Sequence, residues 1–195
     1  MPASILETNR LGEAMTPTIL ILPGYGNSGP GHWQSLWQNA EPSMIRIEGQ
    51  DWDNAVCEEW VSNLETTVKQ LGPDTIIVAH SLGCLQVAHW ALNSRTPIKA
   101  ALLVAVPEPC IVEVPGMATG FEPLLLQSFP FPSIVVASTN DPYGRASYAR
   151  RCADTWGSQF VEIGAKGHIN GDSGMGNWDE GLELPYQLMN LQSAL

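Results

Sequence analysis

In Ile76-Ile-Val-Ala-His-Ser81-Leu-Gly83 an apolar strand runs into the start of a helix through a single serine. Ala79 stands two residues before Ser81 and Gly83 two after. A strand–turn–helix this tight imposes strained backbone angles on the central residue, and bulk at either flanking position would clash. The turn thrusts the hydroxyl out at the carboxyl end of the strand. It also aims the Leu82 amide N–H, at the helix N-terminus, toward a reacting carbon. The usual pattern has glycine where Ala79 stands here, a tolerated variant. Read by itself, Ser81 could instead be a helix cap.

Upstream, Thr18-Ile-Leu-Ile-Leu22 is a continuous apolar run closed by Pro23-Gly24, the signature of a strand buried on both faces. A Gly-rich loop and a short helix around Trp33–Asn39 follow, then a second strand at Met44–Ile47. Asp51 to Asp53 reads as a turn with an N-cap. From there to Leu71 the pattern is helical, with Val56, Trp60, Val61, Leu64 and Val68 on one face. Gly72-Pro73 ends it. The third strand runs from Thr75 into the serine turn, and a helix spans Leu82 to about Ser94. Ala100–Val106, Ser133–Ser138 and Phe160–Ile163 are strands four to six. Helices are expected at Arg145–Trp156 and from about Gly181. Pro107–Pro132 is a proline-rich excursion with room for one short helix, and residues 1–16 read as a loose arm. Alternating strands and helices imply right-handed crossovers. The expectation is a single domain over 1–195: a three-layer α/β/α sandwich on a mostly parallel six-stranded sheet, without a large cap domain.

Two more residues sit where chemistry would need them. Asp141 follows the fifth strand and His168 the sixth, so the chain order is Ser81, Asp141, His168. All three lie at carboxyl ends of parallel strands, where open α/β sheets place their sites. A serine hydroxyl is a weak nucleophile near neutral pH. An imidazole can accept its proton and return it to the leaving group. A carboxylate fixes the imidazole tautomer and stabilises the imidazolium. Each residue alone has a plainer reading, a turn aspartate or a loop histidine, but three ordered placements make coincidence a poor account. An oxyanion site needs a second amide donor from the loop after the first strand, with Tyr25 N–H first and Gly24 second, beside Leu82. Glu108 is the rival for the acid. His32 could line the pocket or start the helix, and Trp52 and Trp178 could wall the pocket or pack loops. His80 should point away from the serine, His89 is a packed or surface residue, and Trp60 and Trp90 belong to the core.

Composition excludes other classes. Among 195 residues, 44% are hydrophobic and 15% charged, which argues against disorder, collagen or coiled coil. Nine basic residues against twenty acidic ones, net −11, disfavour nucleic acid and anionic membranes. The Gly-rich loop is neither GxGxxG nor a P-loop. Cys57, Cys84, Cys110 and Cys152 are widely spaced, which reads as free thiols in a reducing cytoplasm. The histidines sit in no metal motif. No cofactor and no metal are expected, and no targeting segment is apparent.

Together the motifs Leu22–Trp33, Gln50–Asp53, Ala79–Gly83, Asn140–Pro142, Gly167–Asn170 and Ser173–Trp178 resemble the small serine hydrolases typified by retinoblastoma-binding protein 9 and the bacterial YdeN-type proteins, within the α/β-hydrolase superfamily. The resemblance spans residues from about 18 to the C-terminus. It implies a compact hydrolase whose Ser–Asp–His triad falls on Ser81, Asp141 and His168, with esterase-like or aminopeptidase-like activity. The retinoblastoma-binding LxCxE string is absent, so that partner does not carry over.

The expected activity is cleavage of small carboxylic ester or amide bonds through an acyl-enzyme on Ser81. The alternative is a catalytically silent binding module on the same fold. A cofactor-free haloperoxidase-like or C–C bond hydrolase would share the triad.

Overall fold

The computed structural model describes residues 17–108, 118–122, 124 and 127–190. The expected arm at 1–16, part of the excursion and Cys110 lie outside these residues. In chain order the elements are β1 (Thr18–Leu22), α1 (Trp33–Ala40), β2 (Met44–Arg46), β3 (Ala55–Val56), α2 (Cys57–Leu71), β4 (Thr75–His80) and α3 (Leu82–Asn93). Then follow β5 (Ala100–Val104), β6 (Ala118–Thr119), β7 (Ser133–Ala137), α4 (Ala146–Trp156), β8 (Gln159–Glu162), a 3₁₀ turn (Gly171–Ser173) and α5 (Asp179–Met189).

All six expected strands join one sheet in the order β2-β1-β4-β5-β7-β8, and each neighbouring pair is parallel. Apolar runs without alternation are what such a sheet requires, because helices cover both faces. Alternate residues divide cleanly between them. Leu20, Leu22, Ile77, Ala79 and Leu103 face α2, α3 and α4, in a core that contains Trp60, Trp90 and Trp156. Ile19, Ile21, Ile76, Val78 and Leu102 face α1 and α5, with Trp33, Trp37 and Trp178. The α/β/α sandwich expected from the alternation of elements is therefore observed.

The order of strands also locates the site. From β1 the chain crosses to β2 at the edge, then returns to β4 on the other side of β1. The loops leaving β1 and β4 part there and open a crevice at the carboxyl ends. Leu22 is paired with Ala79 in register, so both loops start at one level.

Details depart from expectation. Helix α2 begins at Cys57 rather than near Asp53, and its N-cap, Val56, makes no side-chain cap bond. Asp51 does shape the preceding turn, accepting from the N–H of Asp53 (3.1 Å) and Asn54 (3.0 Å). Val56 belongs instead to the two-residue β3, which pairs parallel with β6 from the excursion. That small sheet was not foreseen, since a two-residue strand has no periodicity to read. Among the described residues of the excursion there is this strand and no helix. Cys57, Cys84 and Cys152 are buried free thiols. Among the described residues, no helix is long and apolar enough to cross a membrane.

Candidate active site

Ser81 ends β4 and opens α3 with φ 53° and ψ −123°, a left-handed-region backbone for a non-glycine residue. Such strain costs about 1–3 kcal/mol and persists only where the surroundings enforce it. Ser81 N–H donates to Val104 O on β5 (2.9 Å), and Cys84 N–H donates to Ser81 O (2.8 Å). The flanking glycines are steric necessities. A Cβ on Gly83 would lie 2.7 Å from Pro23 O and 2.8 Å from Leu22 O. One on Gly24 would lie 2.8 Å from Ser81 Cβ. The close approach of the β1 loop to the serine thus needs glycine on both sides.

His168 Nε2 lies 2.8 Å from Ser81 Oγ, and its Nδ1 lies 2.9 Å from both carboxylate oxygens of Asp141. An ionised carboxylate only accepts, so Nδ1 carries the proton and Nε2 is left to accept from the serine. The Asp141 side chain is 2% exposed and also accepts from Tyr143 N–H (2.9 Å). The structure therefore brings Ser81, Asp141 and His168 together, although 27 to 87 residues separate them in sequence. Glu108, the rival acid, is buried and its carboxylate is gripped by the Arg145 guanidinium, whose Nε donates at 2.7 Å and whose Nη2 makes a second contact.

Residues with no motif of their own join the two loops. Ser138 Oγ accepts from Lys166 N–H (2.9 Å), and Asn140 Oδ1 accepts from Gly167 N–H (2.7 Å). Ser138 Oγ–H in turn donates to Asn140 Oδ1 (2.9 Å). The segment bearing Asp141 thereby holds the segment bearing His168. Their only signal in the sequence was proximity to Asp141. From the other side, Trp33 Nε1–H donates to Ile169 O (2.7 Å). His80 Nε2–H donates to His168 O (2.9 Å). His80 thus directs its Nε2 to the main chain of the histidine loop. Burial, then the neighbouring His32 and His168, hold its pKa well below the ordinary value, so it stays neutral.

In the loop after β1, Gly26 N–H donates to Trp52 O (2.8 Å) and Asn27 N–H to Gly24 O (3.2 Å). The N–H groups of Tyr25 and Leu82 have no partner among the described residues. Buried Gln34 anchors the loop, donating to Leu22 O (3.2 Å) and Val78 O (3.1 Å) while accepting from Ser28 Oγ–H (2.6 Å). Arg46 donates to Asn27 Oδ1 (2.6 Å), Ser28 O (2.9 Å) and Ser35 Oγ (2.8 Å).

A cavity of about 370 Å³ opens beside Ser81 and His168, lined among others by Tyr25, Asn27, His32 and Asn170, with glycines between them. His32 takes both roles that the sequence left open. Its Nδ1 caps α1 by accepting from Gln34 N–H (3.2 Å), and the residue lines the cavity. Trp52 and Trp178 do not line it. Trp52 packs on Trp60 (ring centroids 5.4 Å apart), and Trp178 is buried against Trp33 (5.1 Å) and Trp37 (5.9 Å). An apolar aromatic in a loop near the site cannot be assigned to a pocket wall from sequence, since core packing claims it on equal terms. No group of three or more His, Cys, Asp or Glu among the described residues could hold a metal ion.

Residues 19–187 match the model of the serine hydrolase family. The chain belongs to that family. Among solved structures it is similar to a YdeN-like hydrolase from Pectobacterium atrosepticum (29% identity, TM-score 0.78, covering 88% of this chain and 90% of that one). It is also similar to the ydeN gene product of Bacillus subtilis (20%, TM-score 0.70, covering 90% and 100%) and to a hydrolase from Oleispira antarctica (14%, TM-score 0.68, covering 90% and 92%). No curated protein matches the chain. This serine hydrolase is thus of the YdeN type that its motifs resemble, on an α/β-hydrolase fold.

Proposed function

We propose that the chain acts as one catalytic domain that cleaves small carboxylic esters, or amides of modest size, through an acyl-enzyme on Ser81. The observation that carries this reading is the hydrogen-bonded run Ser81–His168–Asp141, opening on a cavity of about 370 Å³. His168 Nε2 takes the proton as Ser81 Oγ bonds to the acyl carbon. The same proton then passes to the departing alcohol or amine, and the bond to the leaving group breaks. Water, deprotonated by His168, next attacks the acyl-serine; the acyl–Oγ bond breaks, His168 returns the proton to Ser81 Oγ and the acid leaves. Asp141 keeps the imidazole in the tautomer that accepts from serine. The free N–H groups of Tyr25 and Leu82 are the donors for the tetrahedral oxyanion. The close approach of Gly24 to Ser81 supports that placement.

Reaction with a fluorophosphonate probe tests the proposal directly. Stoichiometric labelling of the native protein, lost in Ser81→Ala, is the expected result. A native protein that takes up no probe, or labelling that persists in Ser81→Ala, would refute the assignment. A panel of short esters and aminoacyl amides then separates esterase from aminopeptidase activity.

A further inference from the structure

The polar groups left over around the cavity form a pattern. His32 is 6% exposed, yet its Nε2 has no partner among the described residues. Its Nδ1 is occupied, accepting from Gln34 N–H at 3.2 Å. Burial, Arg46 and His168 hold its pKa down at about 4, so the ring is neutral at ordinary pH. A neutral imidazole whose Nδ1 accepts must carry its proton on Nε2. A buried N–H donor with no partner among the described residues therefore belongs to a residue that lines the cavity.

Two asparagines on the cavity lining, Asn27 exposed and Asn170 half-buried, add amide donors. Asn27 Oδ1 accepts from Ser28 N–H (2.7 Å) and from Arg46 (2.6 Å). Asn170 Oδ1 accepts from Ser173 N–H (3.1 Å) and Ser173 Oγ–H (3.0 Å). With both oxygens engaged, each asparagine keeps its NH₂ for other partners. The cavity is thus supplied with these donors, with the Asp172 carboxylate as an acceptor on its lining, and none of the described residues that line it is aliphatic. Nothing in the local structure requires the His32 Nε2–H. Serine, asparagine or aspartate would cap α1 at least as well, and an apolar ring would fill the space without an orphaned donor. Orphaned buried donors are rare in native folds, and a ligand that supplies the acceptor is one explanation.

We infer that this cavity receives a compact, oxygen-bearing group of the substrate, and that His32 Nε2–H is the donor that distinguishes it from a hydrocarbon group of equal size. The inference rests on Ser81 being the nucleophile, as proposed above. Occupation by an acceptor would satisfy the orphaned donor. An alkyl group would leave it unpaired, and discrimination by sites built to hydrogen-bond is correspondingly strong.

The test compares 4-nitrophenyl methoxyacetate with 4-nitrophenyl butyrate, in which an ether oxygen replaces one methylene. Each kcat/KM is divided by the hydroxide-catalysed rate of the same ester, which removes intrinsic reactivity. The native enzyme should prefer the methoxyacetate by about fivefold to tenfold, the scale of one hydrogen bond. His32→Ser keeps a capping oxygen and removes the donor, so its preference should fall to about one. His32→Asn keeps a cap and a side-chain N–H and should retain part of it. A native preference near one, or one unchanged in His32→Ser, overturns the inference. Should both variants fail to fold, the native ratio alone decides. Absence of fluorophosphonate labelling would instead overturn the Ser81 assignment, so the two failures are distinguishable.

Discussion

The two faces of the sheet are built differently. On the face covered by α2, α3 and α4, the packing is dominated by apolar groups: Trp60, Leu64, Val68, Leu85, Trp90 and Trp156. On the face covered by α1 and α5, the tryptophans are interleaved with buried polar residues: Ser28, His32, Gln34, Ser35 and His80. Burying polar groups is favourable only when each is paired. Here, His32 Nε2 apart, the pairing runs to the ends of strands and to the loops that carry Ser81 and His168. Apolar contacts are non-directional and supply stability in bulk. Hydrogen bonds are directional and set the position of a loop to a fraction of an ångström. The first face is thus a store of stability, the second a jig for the site.

The comparison can be broken or sharpened by experiment. The largest effect should come from the edge that the polar face positions. Asp141→Asn should lower kcat by about 10⁴-fold with the melting temperature nearly unchanged, because it upsets the imidazole tautomer and leaves the core intact. Steady-state kinetics beside calorimetry would show it, and a matched loss of stability would break the division of labour. On the face covered by α2, α3 and α4, Trp60→Ala should cost about 3–5 kcal/mol in denaturant unfolding while the folded fraction keeps its turnover.

Acid should separate the faces by pH. His32 has a folded pKa of about 4 against 6.5 when exposed, and burial holds that of His80 well below its ordinary value too. Between those values the unfolded chain binds protons that the folded one refuses. Stability is therefore complete above pH 6.5 and falls as pH drops toward 4, by about 3 kcal/mol for His32 alone. Glu65 lies on the other side of the sheet. Burial raises its pKa, but hydrogen bonds from Ser94, Thr96, Lys69 and Trp90 outweigh this and bring it to about 2. Its contribution is present above pH 4.5 and is lost only as pH falls toward 2, by about 2 kcal/mol given its partial exposure. Chemical denaturation across pH should show two windows, with His32→Ser flattening the upper and Glu65→Gln the lower. The smallest effect is expected for Asn140→Ala, about tenfold in kcat and about 1 kcal/mol in stability, because one of several loop bonds is removed.

Much of this was legible in the linear chain. A strand buried on both faces is apolar almost without interruption, so β1, β4, β5 and β7 stand out, while the edge strands β2 and β8 are shorter, half-exposed runs read from the alternation of elements. Ser81 was legible because its turn demands small neighbours, and Gly83 indeed has no room for a Cβ. The start of α2 was misread because Asp51 makes a turn of its own six residues before Cys57. The sequence leaves Trp178 open between pocket wall and loop packing, and the nearest available core claims it, here beside Trp33.

The sequence by itself determined the fold class, the order of the main-sheet strands and which serine, aspartate and histidine would stand at the carboxyl edge. Local patterns encode these because helix and strand periodicity and turn sterics act over a few residues. Only the tertiary structure decided that Ser138 and Asn140 hold the histidine loop, that His80 braces its main chain and that His32 keeps an unpaired N–H at the cavity. Hydrogen-bond partners of that kind meet across tens of residues, and a bond's existence depends on distances that no local pattern specifies.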